Sequence, residues 1–346
     1  MSDVLRITIK GLIAGFLVLS SCEEEFTPNI VVEPIPVVYG IINPDDSIYC
    51  VRVTKTFLCD QDVRIGARQP NIQYFTDADV EFELLSMEEE LLNRGTLKPL
   101  TIDDKSPGLF SQSPNIVYAI NRAHFEFEQD ATPLGNPSNA YLLLKIKTSE
   151  TSLLTYSRVE LRRRPRITNP YDKYPRMFSL FDQYMEKVNW MGFPDQFHSL
   201  ILRINYLEQF MDSTGYGQCD IEFPVDPLVE YAQGPDYLEY SIDGMDFLRK
   251  MKIWFNNKPM PRDLEYRKIT ALTIVVVSIN DDYRTYLNSL NQDSDFETRE
   301  VSNVINGIGL FAVKRIGISS GHSFSPKTMD SIANSSLTRN LKFVKW

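Results

Sequence analysis

Three groups of residues in this 346-residue chain have types and spacings that could do chemistry. The first is a thiol, Cys22 in VLSSCEEEFTP, with Leu19 three residues before it and two serines between. The second is GISSG at 317–321, which fits G-x-S-x-G with Ser319 as nucleophile and His322 just beyond. The third is NQDSDFE, which places Asn291, Asp293 and Asp295 at alternate positions, as a calcium loop does. The hydrolase pattern needs a strained strand-to-helix elbow followed by an acid and then a histidine. Here the histidine is three residues on and Asp330 is the only later acid, so a glycine-flanked turn is the ordinary account. An EF-hand needs glycine where Phe296 stands, which leaves at most an adventitious surface ion. His124, His198 and His322 lie in unrelated contexts with no H-E-x-x-H and no C-x-x-C, and glycine-rich phosphate loops are absent. The acid pairs Asp77/Asp79 and Asp103/Asp104 fall in turn-like stretches where Asp bonds its own backbone. No catalytic residue, metal or cofactor is expected.

Cys22 is the informative one. Arg6 and Lys10 precede GLIAGFLVLSS, an apolar run of signal-peptide length and too short to span a bilayer. The small-residue A-x-A cleavage pattern is missing, and LSSC instead resembles the bacterial lipobox. There the cysteine receives diacylglycerol and becomes the new N-terminus. The alternative, a buried cysteine in an N-terminal element, lacks flanking structure to pack against. Residues 1–21 are therefore expected to be a signal peptide and 22–30 a lipidated tether, reaching ~28 Å to Ile30 at ~3.5 Å per residue. Each buried acyl methylene contributes ~0.8 kcal/mol, so two or three chains hold firmly where one is marginal. Glu23, Glu24 and Glu25 look like the acidic export tag that follows the lipid-bearing cysteine in Bacteroidota lipoproteins sent to the outer face of the outer membrane. A solvated acidic linker is the plainer alternative.

Composition narrows the class. A net charge of −10, roughly −11 without residues 1–21, repels phosphate backbones, and no basic patch interleaves with aromatics, so nucleic acid is not an expected partner. With 43% hydrophobic and 24% charged residues the chain should fold, and its length suits two domains. If Cys22 is acylated, Cys50, Cys59 and Cys219 remain, an odd number; Cys50 and Cys59 could bridge, but nothing in the spacing demands it.

The elements that must position these residues are mostly strands. Tyr49, Val51 and Val53 alternate against Cys50, Arg52 and Thr54; Val80, Phe82 and Leu84 alternate against Asp79, Glu81 and Glu83. AYLLLKIKTSETSLLTYSRVELR reads as two strands around a turn. Short strands with frequent turns predict an immunoglobulin-like antiparallel sandwich over 31–164. LRRRPRITNPYDKYP, rich in Arg and Pro, predicts an irregular linker with the boundary near Pro165. Residues 165–346 predict a second β-rich domain with a few short helices. Leu200, Leu202, Ile204 and Tyr206 share a strand face, and TALTIVVVSI reads as a strand buried on both faces. Tyr283, Tyr286, Leu287 and Leu290 make a helical stripe begun by Asn280 or Asp281, and Ser325-Pro326 starts another helix. FLRKMKIWF at 247–255 fits both periods; strand is the reading preferred. In NVINGIGLF, Asn306-Gly307 predicts a positive-φ turn, Gly309 a close backbone approach, and Leu310-Phe311 the start of a buried strand.

VVYGIINPDDSIYCVRVTKT, DADVEFEL and YLLLKIKTSETSLLTYSRVEL, with the lipobox, resemble a group of Bacteroidota lipoproteins classified only as a domain of unknown function (family four-two-four-nine). The most specific pieces are INDDYRTYLNSLNQ and SNVINGIGLFA, which place the family's motif at Tyr283, Tyr286, Ser302, Asn303, Asn306, Gly307, Gly309 and Phe311. Residues 170–198 and 208–236 match it loosely. The resemblance implies an outer-membrane lipoprotein found alongside TonB-dependent receptors, with no established enzymatic activity. The expectation is a non-catalytic, surface-facing lipoprotein, held in the outer membrane by acyl chains on Cys22, acting as an accessory of a TonB-dependent receptor or another outer-membrane barrel. The alternative is a glycan- or peptide-binding module using Tyr216, Tyr237 or Trp190.

Overall fold

The computed structural model describes residues 33–57, 63–103, 114–127, 140–161, 164–171, 174–182, 185–192, 197–225, 237–291 and 302–345. Cys22, Glu23, Glu24, Glu25, Cys59, Asp293 and Asp295 lie outside them. The first seven strands are β1 (Pro36–Ile42), β2 (Ile48–Lys55), β3 (Asp79–Ser86), β4 (Leu91–Thr101), β5 (Ile116–Asn121), β6 (Ala140–Lys147) and β7 (Thr155–Leu161). They hydrogen-bond in the order β1-β2-β5-β4-β3-β6-β7. β4 changes partner midway, pairing with β3 through Leu91–Leu97 and with β5 through Lys98–Thr101. That splits the order into a four-strand and a three-strand layer, the immunoglobulin arrangement. The alternation in sequence becomes its core: Tyr49, Val51, Val53, Phe82, Leu84 and Leu142 are all buried. Glu83, expected on the wet face, is also buried, because Arg94 and Lys145 both pair with its carboxylate.

The second half contains β8 (Arg166–Asn169), β9 (Met177–Phe178), β10 (Glu186–Met191), β11 (Phe197–Phe210), β12 (Thr214–Val225), β13 (Tyr237–Ile242), helix α1 (Gly244–Asn256), β14 (Leu264–Ile279), helix α2 (Asp281–Asn291), β15 (Ile308–Phe324) and helix α3 (Pro326–Asn334). A sheet ordered β12-β11-β14-β15 faces a small sheet ordered β13-β10-β8. Between them lies a core that includes Trp190, Leu202, Phe223, Phe247, Ile274 and Ile332.

Two expectations are corrected here. Residues 247–255 are helical: Phe247, Met251 and Phe255 are buried while Ile253, a required core position of the strand reading, is exposed. Asp243 caps that helix, its side chain accepting from the Asp246 N–H at 2.7 Å. The Arg/Pro-rich stretch also holds regular structure, since β8 pairs with β10. Helix α3 starts as the sequence requires, Ser325 accepting from Thr328 N–H with Pro326 in the first turn.

β15 joins the two halves. Its residues 308–313 run parallel to β1, Val37 opposite Ile308 and Ile42 opposite Val313, while residues 314–322 pair antiparallel with β14. Its 17 residues span ~55 Å at ~3.3 Å each. Consequently Val304, Phe311 and Val313, expected in a domain of residues 165–346, pack in the first core.

Candidate functional site

The motif at 302–311 lies where the first sandwich would otherwise have two open edges, β1 and β7. β15 covers β1, and Ile305 pairs with Tyr156 of β7 through Tyr156 N–H to Ile305 O at 3.1 Å and Ile305 N–H to Tyr156 O at 2.8 Å. Asn303 joins these two pieces. Its N–H donates to Gly309 O at 3.3 Å, its side-chain amide donates to Phe311 O at 2.6 Å, and its side-chain oxygen accepts from Phe311 N–H at 2.9 Å. The amide therefore stands in for a neighbouring strand, and a continuous hydrogen-bonded path runs β7 at Tyr156, 303–305, β15, β1. Ser302 Oγ accepts from Val304 N–H and Gly309 N–H, and Asn306 Nδ2 donates to Leu154 O.

The glycines have distinct reasons. Of the expected Asn306-Gly307 pair, Asn306 takes the positive angle, φ 56°. Gly307 is needed for space, since a Cβ there would come within 2.8–3.0 Å of Val304, Thr155 and Pro36 O. Gly309 has φ 117°, and a Cβ would sit 2.0 Å from Val38 O. Phe311 is fully buried. Tyr286 of α2 lies 6.2 Å, centroid to centroid, from Tyr39 of β1, and Asp282 accepts from Asn303 Nδ2 at 3.0 Å, which docks α2 on the same junction. Burial, and the nearby Tyr286 and Glu222, push the Tyr283 phenol up. These motif residues thus hold the two sandwiches in one register.

Ser319 and His322 do meet, with Ser319 Oγ 2.9 Å from His322 Nε2, and both are buried. The wiring runs opposite to catalysis. Arg176 N–H donates to His322 Nδ1 at 3.1 Å, so that nitrogen is bare and the ring proton sits on Nε2. Nε2–H then donates to Ser319 Oγ, which donates its own proton to Pro170 O at 2.8 Å. A general base must present a bare nitrogen to the hydroxyl. Ser319 also lies within β15, away from any strand-to-helix elbow. Gly317 is explained by a Cβ position 2.1 Å from Pro165 O, so GISSGH stitches β15 to the 165–178 stretch.

Of the aromatics expected to bind glycans, Trp190 is fully buried and Tyr237 half-buried, while Tyr216 is 81% exposed. Tyr216 borders a crevice with Tyr206, Phe255, Lys258 and Arg267. Cys50 and Cys219 are free thiols, and burial pushes the Cys219 thiol well above its ordinary value. Among the described residues no group of three His, Cys, Asp or Glu could hold a metal ion.

The surface with the clearest unused chemistry is the outer face of β11-β14-β15. TALTIVVVSI was expected to be buried on both faces. Leu272, Ile274 and Val276 are buried inward. The outward row Ile201, Val275, Val277, Ile316 and Ile318 is roofed at one end by Tyr283 and Leu287 of α2; Val275 is buried as expected, Ile201, Val277 and Ile316 are half-buried, and Ile318 is 44% exposed. Arg203 forks onto Asp220 at 2.9–3.3 Å along its rim, and Ser199 donates to Glu222.

No protein-family model matches the chain, and no curated protein sequence matches it. Solved structures similar in part include a biofilm-associated protein's BSP domain, at 8% identity and TM-score 0.18, covering 84% of this chain and 29% of that one. Another is trypsin-activated alpha-2-macroglobulin from Escherichia coli, at 9% and 0.18, covering 83% and 15%. CBD12 from CALX1.2 aligns at 8% and 0.19, covering 81% and 98%. The chain thus spans under a third of the first two, and likenesses this faint carry no argument about fold or role.

Proposed function

We propose that this protein is a non-catalytic lipoprotein, anchored in the outer membrane through Cys22, that docks on a TonB-dependent receptor through the outer face of β11-β14-β15. The observation that carries the docking is the exposed Ile318 beside half-buried Ile201, Val277 and Ile316, an apolar row that an antiparallel sheet facing water would not need. The anchor reading rests on Leu19-Ser20-Ser21-Cys22 and the glutamates after it, and the receptor on the family resemblance. Glu33, eleven positions after Cys22, is already held by Ser152, so the tether reaches ~39 Å at most; Ile30 lies outside the described residues. That is enough to place the sheet face beside a barrel's loops.

The test is affinity purification of the tagged, anchored protein from detergent-solubilised outer membranes, compared with Ile318→Glu. Co-purification of a receptor with the native protein and its loss with Ile318→Glu supports the reading. Recovery of the native protein alone, at stoichiometric yield, overturns it.

A further inference from the structure

The first sandwich leaves four large apolar side chains exposed at one end: Ile35 at 45%, Leu153 at 61%, Leu154 at 37% and Ile305 at 50%. They come from three separate segments, the chain before β1, the β6–β7 turn and the closing stretch 302–307. Hydrogen bonds tie those segments together. Glu33 Oε2 accepts from Ser152 N–H at 3.0 Å and Ser152 Oγ at 2.9 Å. Asn306 Nδ2 donates to Leu154 O at 2.8 Å, and Thr155 Oγ1 donates to Asn306 O at 2.9 Å. Ile305 pairs with Tyr156.

Two further observations single this end out. First, the chain arrives here: Glu33 is eleven positions from Cys22, a reach of ~39 Å at most, and its carboxylate is latched to the same turn that carries Leu153 and Leu154. Second, several carboxylates at this end are engaged by donors. Glu33 accepts from Ser152, Asp77 accepts from Thr148 Oγ1 and Ser149 N–H, and Lys55 pairs with Glu150. The opposite end exposes Met87, Leu91 and Leu92 as well, but the β3–β4 hairpin sets Glu88, Glu89 and Glu90 among them, Glu89 pairing with Arg158. β1 and the first part of β15 run away from the tethered end, so the second sandwich lies on the far side.

We propose that this tethered end is a bilayer-contacting surface, with Ile35, Leu153, Leu154 and Ile305 seated in the headgroup boundary of the lipid layer that holds Cys22. The molecule then stands on its first sandwich, with the second sandwich held away from the lipid, instead of swinging on its tether. Apolar side chains beside a lipid anchor act as the second attachment that fixes orientation. The inference rests on the lipid-anchor reading.

The test uses the full acylated chain reconstituted into phosphatidylethanolamine–phosphatidylglycerol vesicles whose acyl chains are brominated near the glycerol end. Leu153→Trp and, separately, Ile305→Trp add an emitter at the proposed contact; Leu92→Trp adds one at the opposite end. The expected result is that bromine removes more than half of the added emission at positions 153 and 305 and none at 92. Unquenched emission at both positions, in protein that floats with the vesicles, overturns the proposal and leaves the anchor standing. Protein that fails to float, with a free Cys22 thiol, overturns both.

Discussion

Removing the Phe311 ring should unfold the first sandwich, although this residue lies 150 positions beyond that sandwich's last strand, β7. Phe311 is fully buried, with its ring 5.8 Å from that of Phe82 and close to Gly40 and Val51. Truncation of a buried Phe to Ala costs ~3–5 kcal/mol through lost transfer energy and the cavity left behind. Against a urea slope of ~2 kcal/mol/M, a loss of ~4 kcal/mol lowers the midpoint by ~2 M. The assay is amide hydrogen exchange by mass spectrometry alongside urea denaturation, following peptides from β2 and β6. Phe311→Ala should strip protection from β2 and β6, whereas Leu202→Ala, in the second core, should first loosen β11 and β14. The reasoning is refuted if Phe311→Ala leaves β2 and β6 protected and opens only residues beyond 264. That result would mean the first sandwich completes its core without β15.

Gly309→Ala should be as damaging as Phe311→Ala despite adding one methyl, since its Cβ would overlap Val38 O at φ 117°; thermal denaturation against Gly321→Ala, where a Cβ meets nothing within 4 Å, separates contact from backbone strain. Ser319→Ala should cost ~1–3 kcal/mol by leaving Pro170 O and His322 Nε2–H without their shared partner, and leave any esterase background unchanged; a fall in that background would revive the hydrolase pattern. Burial raises the Glu83 pKa, but hydrogen bonds from Lys145 and Arg94 outweigh it and lower the value below the usual 4.5. A lowered folded pKa means the stabilisation is complete above the ordinary carboxylate value and lost as pH falls through the folded one. Glu83→Gln should therefore flatten the acid limb of a Tm–pH profile, and an unchanged limb would count against the buried pair.

The sequence made some of this visible and hid the rest for identifiable reasons. Alternation exposed the buried faces of β2, β3 and β11, because a period of two has only one inward solution. Residues 247–255 misled because Phe247, Met251 and Phe255, four apart, satisfy both periods. The deciding signal was local, Asp243 three residues before the Asp246 N–H it caps. Asn306-Gly307 was legible as a turn and Gly309 as a close backbone approach, but the closing role of Asn303 was not legible in local pattern. Their partners, Val38, Leu154 and Phe311, come from the far end of the chain and from a later strand, and sequence patterns state faces without naming neighbours. TALTIVVVSI reads as buried on both faces, which holds outwardly at Val275, but the pattern could not say that α2 roofs only part of that face.

The whole account stands on the chemistry of one sulfur. Intact mass spectrometry of the native protein from membranes should show a chain beginning at Cys22 and heavier by a diacylglyceryl group, with or without a further N-acyl chain. An intact Met1, or an unmodified Cys22 in soluble protein, would contradict it.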